Sequence, residues 1–216
     1  LSILGILLLI LIVTYLKETH FQRSKDIFAQ IKSYPTLLAS LDFWLPTITF
    51  ALSFSIFGIF FIGGPYIAVK VFNLSPIMMG IYLAFPSLGY VLGNILISKI
   101  ANRVSTKRLM IIGSFILLLG PLSSLILSYL FFHPLSFFLP ILIMTFGSGI
   151  IWPASNAEIV KAVPHLAGSA SGLGSAIMTL MSAFAAFLTG FYIENLNPID
   201  FVCYFLILVG VLSFLS

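Results

Sequence analysis

Long apolar runs separated by short polar breaks organise the whole chain. Continuously apolar stretches cover residues 1–16, 41–69, 77–97, 109–132, 135–154, 167–193 and 201–216. A helix rising 1.5 Å per residue crosses a hydrocarbon core of about 30 Å in roughly 20 residues, so the pattern predicts seven membrane helices. The first and the last are short, which marks the chain as a piece of a longer protein or the product of a split reading frame. A membrane barrel is excluded, because its short strands would alternate apolar and polar residues. Between the first two runs, Phe21, Ile27, Phe28, Ile31 and Tyr34 recur at helical spacing while Arg23, Lys25, Asp26 and Lys32 fall on other faces. That spacing predicts an amphipathic surface helix over 21–34, with an unstructured hydrophilic loop as the alternative.

Local signals refine the runs. Gly63, Gly64 and Pro65 are expected to break or loosen the second helix near its end, and Gly120-Pro121 marks a kink in the fourth. Residues 155–168 read as a loop. Gly89 and Gly93 form a GxxxG pair that lets another helix approach closely. Small residues at Gly168, Ser171, Ser175, Ser182, Ala186 and Gly190 predict a second packing surface on the sixth helix.

The most informative break is LGYVLGNILISKIANRVSTKRLM, Leu88 to Met110, where one apolar helix empties into Lys99, Arg103, Lys107 and Arg108 before the next begins. Lys or Arg at bilayer depth costs on the order of 3 kcal/mol, so this hairpin sits at an aqueous face. Residues 17–40 add Lys17, Arg23, Lys25 and Lys32 on the same side, and the 155–168 segment adds Lys161. Only Lys70 falls on the other side, which Glu194 and Asp200 share. The positive-inside rule makes the basic loops cytoplasmic.

Composition agrees: the chain is 60% hydrophobic and 7% charged, where a soluble domain carries roughly 25% charged residues. Its net charge of +4 is read as topology, with no nucleic-acid partner implied. Cys203 lies in an apolar run, and His20, His133 and His165 are far apart near segment ends, so neither a disulfide nor a metal or cofactor framework is expected. A membrane enzyme is also unsupported: no mid-span His partners a Ser, and HExxH and paired intramembrane Asp residues are missing.

SKIANRVSTKR, Ser98 to Arg108, resembles the major facilitator superfamily hairpin signature G-x-x-x-D-R-x-G-x-K-R. Arg103, Lys107 and Arg108 match, while Ser98, Asn102 and Ser105 replace the first Gly, the Asp and the second Gly. FIGGPYIAVKVFNLSP, Phe61 to Pro76, is similar to the seventh helix and following loop of the Bcr/CflA multidrug (bicyclomycin resistance-like) efflux subfamily, with Pro65 and Tyr66 at its Ser-Pro-aromatic position. GIIWPASNAEIVKAVPHLAGSASGL, Gly149 to Leu173, resembles that subfamily's connection from helix ten to helix eleven, where Pro153, Pro164, Ala167, Gly168, Ala170 and Ser171 fit. Lys17 to Thr19 is similar to the Pro-Glu-Thr that closes helix six, without its proline.

The resemblance implies an all-α polytopic membrane protein: 1–16 as the end of helix six, 17–40 as the central linker, and 41–216 as the C-terminal bundle of helices seven to twelve, the last truncated. It further implies a bacterial inner-membrane, proton-coupled exporter of small molecules. Such a carrier works by alternating access together with its N-terminal half, which is not on this chain. No acidic residue falls at mid-membrane depth, so the proton carrier is expected on that missing half.

Phe50, Phe54, Phe57 and Phe61 fall along one helix face. If it faces the central cavity, the row supplies an apolar substrate surface; if it faces lipid, it is merely hydrophobic. Tyr66, Trp152 and Met178 are further substrate-binding candidates, since aromatic rings and flexible Met accept varied ligands. Ser98, Asn102, Arg103, Lys107, Arg108 and Glu158 are candidate latch residues, with an Arg103–Glu158 pair stabilising one access state. Under the competing reading those charges only set topology. The competing function is a non-transporting membrane scaffold or an inactive remnant of a split transporter gene.

Overall fold

The computed structural model describes residues 2–15 and 34–216. Helix α1 (Ser2–Tyr15) belongs to one compact unit, Leu1–Ser33, and the rest of the described chain forms a second, Tyr34–Ser216. Most of the expected linker, 17–33, lies outside the described residues; its end forms a helical turn at 34–38.

The second unit is an all-helical bundle, with no strand among the described residues. Six of its segments are long and apolar enough to cross a membrane. α2 (Leu41–Tyr66) runs unbroken through Gly63 and Gly64, and Gly63 is pressed against the start of the last helix: a Cβ there would lie 2.6 Å from a Val202 methyl. The loosening expected at Pro65 falls just beyond it, as a π-helical turn over Ile67–Val71 that closes with Phe72 N–H donating to the Ile67 carbonyl at 3.1 Å. Asn73, at φ 49°, then reverses the chain in the left-handed region that Asn tolerates.

The next span is jointed. α3 (Pro76–Leu83), capped by Ser75, and α4 (Phe85–Ile100) meet at Ala84. Pro86 has no N–H to offer the carbonyl of Tyr82, and the Ala84 N–H turns to the Ile81 carbonyl at 3.2 Å. α5 (Thr106–Leu130) continues as one helix through Gly120-Pro121.

α6 (Pro134–Ala162) corrects the loop expected from residue 155, which is helical to Ala162. Ile159, fully buried, and Val163 pack with Phe43, Phe50 and Ala170, so burial carries the helix past the apolar run. Pro164 ends it by forcing Val163 out of the helical region, to φ −139° and ψ 79°. After a single 3₁₀ turn (Pro164–Leu166) come α7 (Ala167–Tyr192) and α8 (Pro198–Leu215).

α6 is the axis of the bundle, packing on α2, α4, α5 and α7, while α8 fills the groove between α2 and α5. α2 and α6 are accordingly mostly buried, and α4 and α7 keep broad exposed faces. Ile56, Ile59, Phe60, Phe138, Ile141, Val202 and Leu206 form the centre of the core. Many buried hydroxyls bond within their own helices, as Ser55 does to the Ala51 carbonyl at 2.8 Å and Thr189 to the Ala185 carbonyl at 2.8 Å, while Ser124 reaches the Phe137 carbonyl of a neighbouring helix at 3.0 Å. Inside lipid no water would otherwise satisfy them.

Successive spans alternate in direction. Ring contact between Phe72 and Phe132, at 5.3 Å, joins the end of α2 to the α5–α6 turn at one surface, and a cavity gathers Asp42, Lys107 and Lys161 at the other. Arg103, in the α4–α5 hairpin, and Lys161 therefore belong to the same surface.

Candidate functional site

The four phenylalanines of α2 follow the helical period, and the structure shows what they meet. Phe54 stacks on Phe57 at 6.3 Å, and Phe57 tilts against Phe61 at 5.9 Å. All but Phe61 also turn toward one indole. Trp152 of α6 lies 4.7 Å from Phe54, 5.0 Å from Phe57 and, edge-on, 6.4 Å from Phe50. Tyr90 of α4 closes the group, 4.8 Å from Trp152 and 6.3 Å from Phe57. Phe50 is buried, Phe54, Phe57, Tyr90 and Trp152 are half-buried, and Phe61 is 64% exposed, so the cluster grades from core to open surface.

One atom in the cluster is chemically distinctive. The Trp152 indole nitrogen is buried and has no hydrogen-bond acceptor among the described residues. An unmatched buried N–H costs about 1–3 kcal/mol, which a ligand carrying an acceptor would recover.

Met178 of α7 packs into the neighbouring cluster that also contacts Trp152, together with Trp44 and Ile177. Tyr66 is separate: it packs against the main core near the opposite end of α2. The structure thus brings Phe54, Phe57, Trp152 and Met178 to one region, continues it outward to Phe61, and leaves Tyr66 apart. Tyr90 is the member that sequence reasoning missed. Its signal was its place inside the GxxxG pair, since a residue next to Gly89 is carried into the same helix contact.

That helix contact is close. A Cβ on Gly89 would collide with the Leu142 carbonyl, and one on Gly93 with the Phe146 carbonyl. Gly149 reciprocates: its Cβ would lie 2.5 Å from the Tyr90 carbonyl. The glycines let α4 and α6 approach backbone to backbone, which sets Tyr90 and Trp152 side by side. Of the packing surface expected on α7, Ser182 is buried against α2, where a Cβ on Gly58 would lie 2.5 Å from its carbonyl, whereas Gly168 packs on nothing within this bundle. A Cβ on Gly168 meets nothing within 4 Å, and Ser171 is hydrogen-bonded to Asn156 at 3.2 Å. The buried positions of α7 are Ala170, Gly174, Ser182, Ala185 and Thr189, of which Ser182 belongs to the expected set. Ser175 is half-buried.

At the basic surface, the Glu158 carboxylate accepts hydrogen bonds from the Thr106 hydroxyl and from Lys161, the latter at 3.1 Å. Lys161 also donates to the Thr106 oxygen at 3.1 Å. The hairpin and the end of α6 are therefore tied, but by Thr106 rather than Arg103. Arg103 is exposed and in no salt bridge among the described residues, as are Lys107 and Arg108. Thr106 holds the position because it starts α5, where its short side chain faces α6, while the long Arg103 side chain reaches water from the turn. Asn102 is exposed in the same turn, and Ser98 bonds back to the Ile95 carbonyl at 2.8 Å. Among the described residues, the acidic groups Asp42, Glu158, Glu194 and Asp200 all stand at or near helix ends.

A family model described as the Major Facilitator Superfamily matches residues 1–215. No curated protein matches the chain.

Proposed function

The chain belongs to the major facilitator superfamily, whose members are membrane transporters, and from that premise we propose that it is the C-terminal bundle of a proton-coupled exporter of the Bcr/CflA kind. Its substrates are small apolar or cationic compounds with an aromatic surface and a hydrogen-bond acceptor. The observation that carries this reading is the Trp152 cluster, in which four further rings from two other helices surround an indole whose N–H has no partner. Rings offer stacking and cation–π attraction without a fixed hydrogen-bond pattern, which suits binding of varied compounds. The N-terminal half supplies the facing wall and the proton-carrying carboxylate, and access alternates as the two bundles rock. The basic end is cytoplasmic, in a bacterial inner membrane, and the Thr106–Glu158–Lys161 tie contributes to a latch there.

Reconstitution tests the reading. The full transporter, with its first half present, is placed in liposomes with ethidium as the probe and a proton gradient across the membrane. Gradient-driven ethidium movement that a protonophore abolishes is the expected result. No movement beyond that of protein-free liposomes would overturn it in favour of a non-transporting remnant.

A further inference from the structure

Two carboxamides lie within the described membrane-crossing helices, Asn94 of α4 and Asn156 of α6. Asn156 stands near the end of α6, and its oxygen accepts from the Ser171 hydroxyl at 3.2 Å. Asn94 is deeper. Its backbone nitrogen lies 3.1 Å from where a Cβ on Gly149 would be, and Gly149 is midway along α6 (Pro134–Ala162). A polar side chain at that depth needs hydrogen-bond partners, because lipid supplies none.

One partner is in place. The Asn94 Nδ2 donates to the Tyr90 carbonyl, one turn back, at 2.9 Å. A carbonyl can accept only from the amino side of a carboxamide, so this bond fixes how the amide is turned and leaves Oδ1 at the other edge. Asn94 is half-buried, and its Oδ1 accepts no hydrogen bond among the described residues.

The rest of α4 indicates what Oδ1 faces. Ser87, Tyr90, Asn94 and Ser98 recur at spacings of three and four, which puts them on one flank of the helix. Leu88, Leu92, Ile95 and Leu96 are exposed on the outer arc. The apolar arc suits lipid and the polar flank suits water. Tyr90 joins that flank to the aromatic cluster, with its ring 4.8 Å from Trp152. Trp152 stands three residues beyond Gly149, about 4.5 Å of helix rise. An indole N–H without an acceptor and an amide oxygen without a donor thus sit within one turn of each other in height, beside the same rings.

We propose that Asn94 is a specificity-determining residue of the substrate site: its Oδ1 accepts a hydrogen bond from an N–H or O–H of the bound compound, whose own acceptor takes the Trp152 N–H. Among planar aromatic compounds of one size, the site prefers those that donate as well as accept. The proposal rests on the Trp152 cluster being the substrate site and adds a donor requirement to it.

Acridone and N-methylacridone test it, because they share a fused ring system and a carbonyl and only the first has an N–H. Each is titrated as a competitor of ethidium movement in liposomes holding the full transporter with its first half. Acridone is expected to reach half-inhibition at about fivefold lower concentration than N-methylacridone, the order of one hydrogen bond. Asn94→Leu is expected to abolish that difference by weakening acridone alone, with N-methylacridone at its wild-type value. A role for Asn94 only in packing, or in bonding to the first half of the carrier, would weaken both probes together and overturn the proposal. Equal inhibition by the two probes in the unmodified protein would overturn it as well. Ethidium movement in the unmodified protein separates the two levels: its absence removes transport and this proposal with it, whereas movement without an acridone preference removes only the role of Asn94. Should Asn94→Leu fail to fold, photolabelling of the unmodified protein with an azidoacridone decides: labelling of the peptide carrying Tyr90 and Asn94 supports the site, and sparing of that peptide refutes it.

Discussion

The rings of Trp152 and Tyr90, 62 positions apart in the chain, lie 4.8 Å from each other because Gly93 and Gly149 let α4 and α6 touch backbone to backbone. Two aromatic residues that neither helix could pair by itself become one surface through two residues that have no side chain. The candidate substrate site thus depends on a helix contact that carries no chemistry of its own.

If the indole binds substrate, its removal weakens transport without dismantling the bundle. Aromatic contacts contribute about 0.5–1.5 kcal/mol each, and a lost hydrogen bond adds to that, so Trp152→Ala is expected to raise the apparent KM for ethidium about tenfold or more. Trp152→Phe keeps a ring but no N–H and should fall between. Ethidium flux into proteoliposomes measures both; an unchanged KM in Trp152→Ala would remove Trp152 from the site.

Intrinsic fluorescence offers a check that needs no transport. The chain has two tryptophans, so Trp44→Phe leaves Trp152 as its only indole reporter. Titrating a non-fluorescent substrate into that variant is expected to quench and shift the emission saturably, and a flat titration would argue that the cluster meets no ligand.

The glycines separate packing inside the bundle from packing outside it. Gly93→Leu drives a side chain into the Phe146 backbone and is expected to cost about 1–3 kcal/mol or more, read as a fall in detergent melting temperature. Gly168→Leu enters open space in this bundle and should leave that temperature nearly unchanged. If α7 faces the other half of the carrier, Gly168→Leu will lower transport all the same.

Thr106, Glu158 and Lys161 form a tie whose partners differ from the pair the hairpin signature suggests. A hydrogen bond to a charged group is worth about 1.5–3 kcal/mol, so Thr106→Val and Glu158→Gln should be strongly coupled in a double-mutant cycle of thermal stability. Arg103→Gln combined with Glu158→Gln should be nearly additive. Strong Arg103 coupling instead would restore the charge pair as the latch.

The two surfaces of the bundle can be told apart by labelling. Cys203 is buried, so the native thiol contributes little background. Arg103→Cys and Lys161→Cys are expected to react with an impermeant maleimide only from the cytoplasmic side, and Asn73→Cys only from the opposite one. Reaction of residues 103 and 161 from opposite sides would break the assigned topology.

Much of the architecture was readable in the residues, and the reason is the solvent. In a bilayer every backbone group is satisfied within its helix, so length and apolarity alone identify a span, and the runs beginning near 41, 77, 109, 135, 167 and 201 each became one. Charges were equally informative, since Lys99, Arg103, Lys107 and Arg108 could only mark an aqueous turn. The Gly89–Gly93 spacing announced a close contact, and the period of Phe50, Phe54, Phe57 and Phe61 announced a shared face.

What tertiary packing decided was everything that needs a second helix. Residues 155–162 look polar enough for a loop, yet Ile159 finds a buried place beside Phe43 and Phe50, and that burial extends α6. Gly168 and Gly174 look alike in sequence, but the rotation of α7 against α2 buries only Gly174. Periodicity says that four phenylalanines face one way and is silent on what stands opposite, so Trp152 and Tyr90 had to be placed by the fold. The same holds for Glu158, whose partner depends on side-chain reach across the hairpin: the short Thr106 hydroxyl meets it, and the longer Arg103 extends into water.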